Sequence, residues 1–305
     1  MSHEDPDGGC PFEGCCPRRS STVRLIDARM PELTRSLSLF QYVQAVTGGP
    51  VAHLDQAGGY APPSLRGEAF AVRPAAITLR LDPEGIASAL VIRDERTGSA
   101  TLHLLDTEGR TAHQGRLLSD GDRLLADLIR TVTPGSTPAA HRAAPDLPPW
   151  QDGDQLAQLD EILTDGGAAR RARFAHYGGD HRPVDPEAVP AVLEHACSVG
   201  LPLGVAVFAP SALQASAGHV HITDRTTGGR VFAAIGDSTL ELDLTRVAAC
   251  HLVRSTATHG LTTSLELDDA QGHCAALLTQ FGPVGEETHR AWESLTTSLP
   301  TPDTT

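Results

Sequence analysis

The 305-residue sequence contains no lysine, so arginine carries every permanent positive side-chain charge. Without lysine there is no Gly-Lys-Ser/Thr phosphate loop, and no Gly-x-Gly-x-x-Gly opens a helix after a strand. A Gly-x-Ser-x-Gly nucleophile elbow is also missing, which excludes the common serine-hydrolase arrangement. Positive charge is scarce overall: 24 basic residues face 38 acidic ones, a formal net charge of −14. That balance argues against nucleic acid and anionic membranes, both of which call for a basic surface. No apolar run approaches the ~20 residues needed to span a bilayer. The leading MSHEDPDGG lacks the basic and apolar stretches of an export signal. These absences predict a soluble, cytoplasmic protein whose six cysteines stay reduced. Aromatic residues are few, 2 Trp, 3 Tyr and 7 Phe, but 40% apolar residues suffice for two cores.

The strongest positive signal is a repeat. Residues 77–117, ITLRLDPEGIASALVIRDERTGSATLHLLDTEGRTAHQGRL, recur as residues 238–277, STLELDLTRVAACHLVRSTATHGLTTSLELDDAQGHCAAL. Thr78-Leu79, Leu81-Asp82 and Arg93 return 161 residues later as Thr239-Leu240, Leu242-Asp243 and Arg254. Beyond Gly98 the offset is 163, pairing Asp106 and Gly109 with Asp269 and Gly272. A difference of two residues at a glycine turn is how hairpins absorb insertions. The expected fold class is α+β: a tandem duplication of a helix plus an antiparallel β-meander, as two sheets around a central interdomain cleft.

Residues 1–22 show no hydrophobic period and contain Cys10, Cys15 and Cys16, so a disordered tail is expected. Residues 23–135 form the first repeat, 136–149 a Pro- and Ala-rich linker, 150–298 the second repeat, and 299–305 a disordered tail. Helices are expected at 31–46, 121–132, 152–164, 167–177, 190–199 and 286–295, and short strands at 51–54 and 69–72. In ITLRL, Ile77, Leu79 and Leu81 share one strand face, and Thr78 and Arg80 take the other. Asp268-Asp269 reads as turn chemistry, and Cys197, Cys250 and Cys274 read as core thiols. His219 and His221 alternate along a strand, a spacing suited to chelating one ion. His251 and His273 have no evident partner.

AITLRLDPEG…SATLHLLDTEGRTAHQGRLL and GLTTSLELDDAQGHCAALL…AWESL, supported by PVAHLDQAGGY and VAVFAPSALQASAGHV, resemble the bacterial haemin-degrading and haem-trafficking family of the HemS/ChuX type. The resemblance covers roughly residues 24–297, in the family's two-copy form. It implies haem as cofactor or substrate, held in the cleft between the halves and either passed on or opened with reductant and oxygen. It also implies Arg80 over the distal face of the haem as the catalytic group, and Arg170 on a propionate. His53 and Tyr60 match a histidine–tyrosine feature that binds haem in some relatives, and His113 matches a structural histidine. The chain departs from the pattern at the axial ligand, where Asp154 stands in place of histidine. A carboxylate is a poor ligand for haem iron. Ser255, Leu277, Thr279 and Gly282 replace polar groups expected near the porphyrin. His176 is the candidate replacement ligand, with Tyr177 and His181 beside it and His53 as the alternative. The Cys-Pro dipeptides of the tail resemble haem-responsive motifs.

Two functions follow as expectations. One is a cytoplasmic haem-binding protein, an oxidative enzyme with a nonstandard ligand that needs a redox donor. The other is a non-enzymatic haem or tetrapyrrole carrier, or a small-molecule binder that has lost haem. A homodimer is left open as a further partner.

Overall fold

The computed structural model describes residues 21–26, 30–129, 154–172, 181–257, 260–282 and 284–302. The first half runs β1 (Ser21–Ile26), α1 (Met30–Leu37), β2 (Val43–Gly48), β3 (Ala52–Tyr60), β4 (Ser64–Leu65), β5 (Ala76–Leu81), β6 (Ile86–Asp94), β7 (Ala100–Asp106), β8 (Thr111–Leu117) and α2 (Asp120–Leu128). The second half runs α3 (Asp154–Asp165), α4 (Ala168–Arg171), β9 (His181–Val184), α5 (Ala188–Val199), β10 (Pro202–Ala209), β11 (Ala212–Arg225) and β12 (Arg230–Ile235). It continues through β13 (Ser238–Asp243), β14 (Ala249–Ala257), β15 (Gly260–Asp268), β16 (Cys274–Thr279) and α6 (Glu286–Thr297). The fold mixes helices with predominantly antiparallel strands, as the α+β expectation has it.

Where two sheets were expected, the strands join in one hydrogen-bonded path, β1-β6-β7-β8-β2-β3-β13-β12-β11-β10-β16-β15-β14-β9, with β5 branching onto β11 and β3. The halves are tied by exchanged strands. β5 of the first half pairs with β11 of the second, Leu81 opposite Ala212. β13 of the second half pairs with β3 of the first, Leu242 opposite Ala52. Each junction places a leucine of ITLRL or STLEL opposite an alanine that begins a strand. The turns match too: Asp106 accepts from the backbone of Glu108 and Arg110, and Asp269 from that of Gln271 and His273.

Several expected elements differ. The helix expected at 31–46 ends at Leu37, and Val43–Gly48 is a strand with alternating burial. The switch is fixed from 80 residues away, where the buried Asp122 carboxylate accepts from the backbone N–H groups of both Gln41 and Tyr42. No strand forms at 69–72; Phe70 alone is inserted, 1% exposed, into a core between α3 and the strands. The helix expected at 167–177 contains only α4, and its end lies outside the described residues. The Cys10, Cys15 and Cys16 tail and the whole of the linker at 136–149 are likewise outside them.

The core lies in three clusters. One packs α5 and α6 against β10, β14, β15 and β16 through residues such as Val189, Val205, Leu265 and Trp292. A second fills the first half around Leu37, Phe40, Ile77 and Leu102. The third lies under α3 and positions the candidate site. Strand alternation separates these cores: on β10, Val205 and Val207 join the first cluster while Ala206 and Phe208 join the third.

Candidate functional site

Helix α3 is amphipathic with a mixed inner face. Leu156, Leu159, Ile162 and Leu163 are buried against Phe70, Phe208, Leu213, Leu277 and Phe281, while Gln155 and Gln158 are buried beside them. The two glutamines meet a polar part of the sheet. Gln155 Nε2 donates to Thr279 Oγ1 (3.0 Å) and to the Gln280 carbonyl (3.3 Å). Gln158 Nε2 donates to Glu266 (2.5 Å), and its carbonyl oxygen accepts from Ser255 Oγ (3.0 Å). Two acceptors at this end, Gln155 Oε1 and Gln280 Oε1, are buried without a hydrogen-bond partner among the described residues. Leaving a buried acceptor unpaired costs about 1–3 kcal/mol, so both mark a place that a donor would stabilise. Ser255, Leu277 and Thr279, singled out as departures, therefore form the floor on which α3 sits. Gly204 on β10 is part of the fit, because a Cβ there would stand 2.5 Å from the Phe281 ring. Gly204→Ala should displace Phe281 and lower stability by about 1–3 kcal/mol in urea unfolding, the usual cost of overpacking.

Arg80 does not lie on an open strand face. β5 is covered on both sides, and Thr78 and Arg80 are as buried as Ile77, Leu79 and Leu81. Arg80 forks onto Asp160 of α3, Nε to Oδ1 at 2.6 Å and Nη2 to Oδ2 at 2.9 Å, and donates to Ser64 Oγ at 3.1 Å. Its guanidinium carbon stands 5.5 Å from the Phe70 ring centre. Such a bidentate pair is strong and directional, and it bolts α3 to the first half.

At the other end, two glycines in the left-handed region, Gly166 (φ 67°) and Gly167 (φ 81°), stop α3 and start α4. α4 delivers Arg170 to Glu266, a pair in which both groups are buried, with Glu161 3.9 Å from the same guanidinium. Arg171 reaches Asp268 Oδ1 at 3.2 Å. Asp268 is thus not turn chemistry: it is 1% exposed, and burial pushes its carboxyl up to about 7 against the lowering effect of Arg171. His251 approaches Asp268 Oδ2 at 3.5 Å and bonds His181 at 3.0 Å. Burial first, then neighbouring His181, Arg171 and Arg170, depress His251 to about 4, so its contact with Asp268 at neutral pH is that of a neutral ring.

The remaining candidates do not converge here. Tyr60 is buried, its hydroxyl bonded to His113 Nε2 at 2.8 Å, while His113 Nδ1 meets Thr47 Oγ1 at 2.7 Å. Thr47 donates on to Gln214 Oε1. Burial raises the Tyr60 hydroxyl above its usual range and lowers His113 to about 3, the signature of a neutral structural relay. His53 is exposed and bonds the Gly49 carbonyl. Seven residues separate His53 from Tyr60, an odd spacing that sends them to opposite strand faces. His219 and His221 are exposed neighbours with ring centres 6.4 Å apart, and His219 bonds the Gly200 carbonyl. Among the described residues no group of three or more His, Cys, Asp or Glu is arranged to hold a metal. Cys250 and Cys274 are buried and Cys197 partly so. Asp154 is the first residue of α3, and His176 and Tyr177 lie outside the described residues. Sequence reasoning missed Asp160, Gln158, Glu266 and His251, whose partners are 70 to 108 residues distant.

Comparison with known proteins agrees with the resemblance read from the sequence. Residues 168–299 match the haemin-degrading HemS/ChuX domain model. The fold is similar over 92% of the chain to the haem-degrading enzyme ChuS of Escherichia coli O157:H7, with TM-score 0.69, 21% identity and 87% of that chain covered. It is similar over the same share to holo-PhuS, a haem-binding protein of Pseudomonas aeruginosa, with TM-score 0.67, 20% identity and 87% of that chain covered. No curated protein matches the sequence. No helix among the described residues is long and apolar enough to cross a membrane.

Proposed function

We propose that this protein binds haem at the interface between α3 and the sheet, and handles it as a carrier. The observation that carries the reading is the HemS/ChuX domain over residues 168–299, which contains Arg170 and most of the apolar floor under α3. Phe70, Phe208, Leu213, Leu277 and Phe281 would wall a porphyrin only after α3, which packs on them, moves aside, and that movement would also present the oxygens of Gln155 and Gln280. Arg80 and Arg170 are paired with Asp160 and Glu266, so either would bind a propionate only by exchanging that carboxylate for it. Fit to the iron in the family manner is not supported: α3 carries no histidine, and Asp154 stands at the ligand position. Haem, when bound, supplies a redox-active iron, and the residues of this chain supply walls, cations and exclusion of water. Arg80 is held by Asp160 and Ser64, so an enzymatic role, the other reading, would require it to leave that pair on binding. The matched turns and exchanged strands also support a tandem duplication, with repeats at 23–135 and 150–298.

Ferric haem titration followed at the Soret band tests the proposal. The expected result is saturation at one haem per chain, with Asp154→His tightening binding at least tenfold by restoring an imidazole. Loss of binding in His176→Ala would place the iron ligand there. No binding by the wild type at any concentration tested would sink the haem reading. Conversion of bound haem to a linear tetrapyrrole under ascorbate and oxygen would replace the carrier with an enzyme.

A further inference from the structure

We propose that the outer face of the first-half sheet is a self-association surface, seating a second copy of this chain about a twofold axis. Haem has no part in this contact. Strand pairing places Val23 and Leu25 of β1 beside Ile92 and Leu90 of β6, and Leu90 beside His103 of β7. Directly paired residues share a face, and the first-half core, with Val91 and Leu102, lies on the other one. By the repeat's offset of 163, His103 stands where Glu266 stands in the second half. β1 likewise stands where β9 does: each closes one end of the sheet path, and each pairs with one strand, β6 or β14. In the second half α3 and α4, which precede β9 in the chain, cover this face and bury Glu266. In the first half its apolar side chains stay accessible, Val23 48% and Leu25 63% exposed, with Leu90, Ile92 and Leu105 half-buried.

Twenty residues precede β1, and Met1 and Phe12 are their only large apolar side chains. α3 covers the matching face with four, Leu156, Leu159, Ile162 and Leu163. The stretch before β1 is therefore too polar to do for the first half what α3 does for the second. A contiguous apolar face beside a sheet edge marks a contact surface. A flat face of this kind fits another flat, apolar face, and a second copy presents one of the same size. The six strands from β1 to β3 along the sheet path, about 4.8 Å apart and about 20 Å long, project roughly 600 Å². Side-chain relief brings that close to the ~800 Å² per partner that a stable dimer buries. Twofold contacts need a self-complementary patch, and this one mixes apolar side chains with both signs of charge, Arg116 on β8 and Asp55 on β3. His103 adds an independent observation. It is 6% exposed, yet its Nδ1 has no hydrogen-bond partner among the described residues. Thr101 and Gln114 share its face, so a facing copy brings groups that donate or accept to an atom left unpaired in the single chain.

Sedimentation equilibrium of the full, haem-free chain, with ¹⁵N–¹H spectra of the histidine rings over the same dilution series, tests the surface. The expected result is a monomer–dimer equilibrium in the micromolar range. The His103 ring resonances should shift on dilution while those of His251, toward the other end of the sheet path, stay in place. Leu25→Glu should weaken the dimer about tenfold or more, because it sets a carboxylate in an apolar contact. Val199→Glu, on a comparably exposed apolar residue of α5, should leave it unchanged. Both side chains are more than half exposed, so both variants keep the fold. A monomer at every concentration would overturn the proposal and leave the face to residues 1–20 or to a different protein. A dimer that survives Leu25→Glu, or one whose formation does not move His103, would overturn it too. The wild-type dilution series decides the matter even if a variant fails to fold.

Discussion

Asp160→Ala will lower the unfolding free energy by about 3 kcal/mol or more, the cost of breaking a buried ion pair from one side. The Arg80 side chain is 1% exposed, and Asp160 receives two of its N–H groups together with the backbone N–H of Gly67. Removing the carboxylate leaves a guanidinium under α3 with only Ser64 and the face of Phe70. Adding Arg80→Met to Asp160→Ala should recover most of the loss, since no uncompensated charge then remains. Urea unfolding of the two single variants and the double variant gives the coupling directly. A loss below about 1 kcal/mol in Asp160→Ala would mean that water replaces the carboxylate, and the pair would then not hold α3 shut.

Acidification from pH 6.5 to 5 should destabilise the protein steeply. Burial holds His103 at about 4, His113 at about 3 and His251 at about 4 in the folded chain. The unfolded chain protonates its histidines near 6.5. The stability these rings contribute is therefore full above pH 6.5 and is lost as pH falls toward the folded values. Asp268 works in the opposite direction: held near 7 when folded, it keeps its proton while the unfolded carboxylate ionises, so its effect grows more favourable as pH falls. Between pH 6 and 5 the unfolded chain holds about three protons on these rings that the fold lacks, against one that the fold keeps on Asp268, a slope of roughly 3 kcal/mol per pH unit. His113→Gln should flatten that slope by about 1.4 kcal/mol per pH unit, whatever it does to stability at pH 8. An unchanged slope would show that His113 takes up its proton in the native state.

The local rules that operate over a few residues were legible in the sequence. Alternation in ITLRL, the glycine turns after Asp106 and Asp269, and the helical pattern expected at 152–164 mark strand, turns and helix in the sequence itself. The repeat also ordered the elements, and the HemS/ChuX resemblance drawn from it agrees with the matched domain. The end of α1 was not legible, because the cap on Gln41 and Tyr42 comes from Asp122. Nor was the state of Arg80. The strand period correctly assigned it to the face opposite Leu79, but solvent exposure of that face depended on whether α3 would cover it. Glu266 and Asp268 follow the same logic: Asp268 read with Asp269 as turn chemistry, and only the packing of α3 and α4 lays glutamine and arginine over both acids. What the sequence by itself determined was the repeated order of strands and helices and the resemblance it carries, since periodicity and turn chemistry act between near neighbours. The tertiary structure alone decided which polar groups are buried and with whom they pair, because those partners meet only when segments 70 to 108 residues apart are packed together.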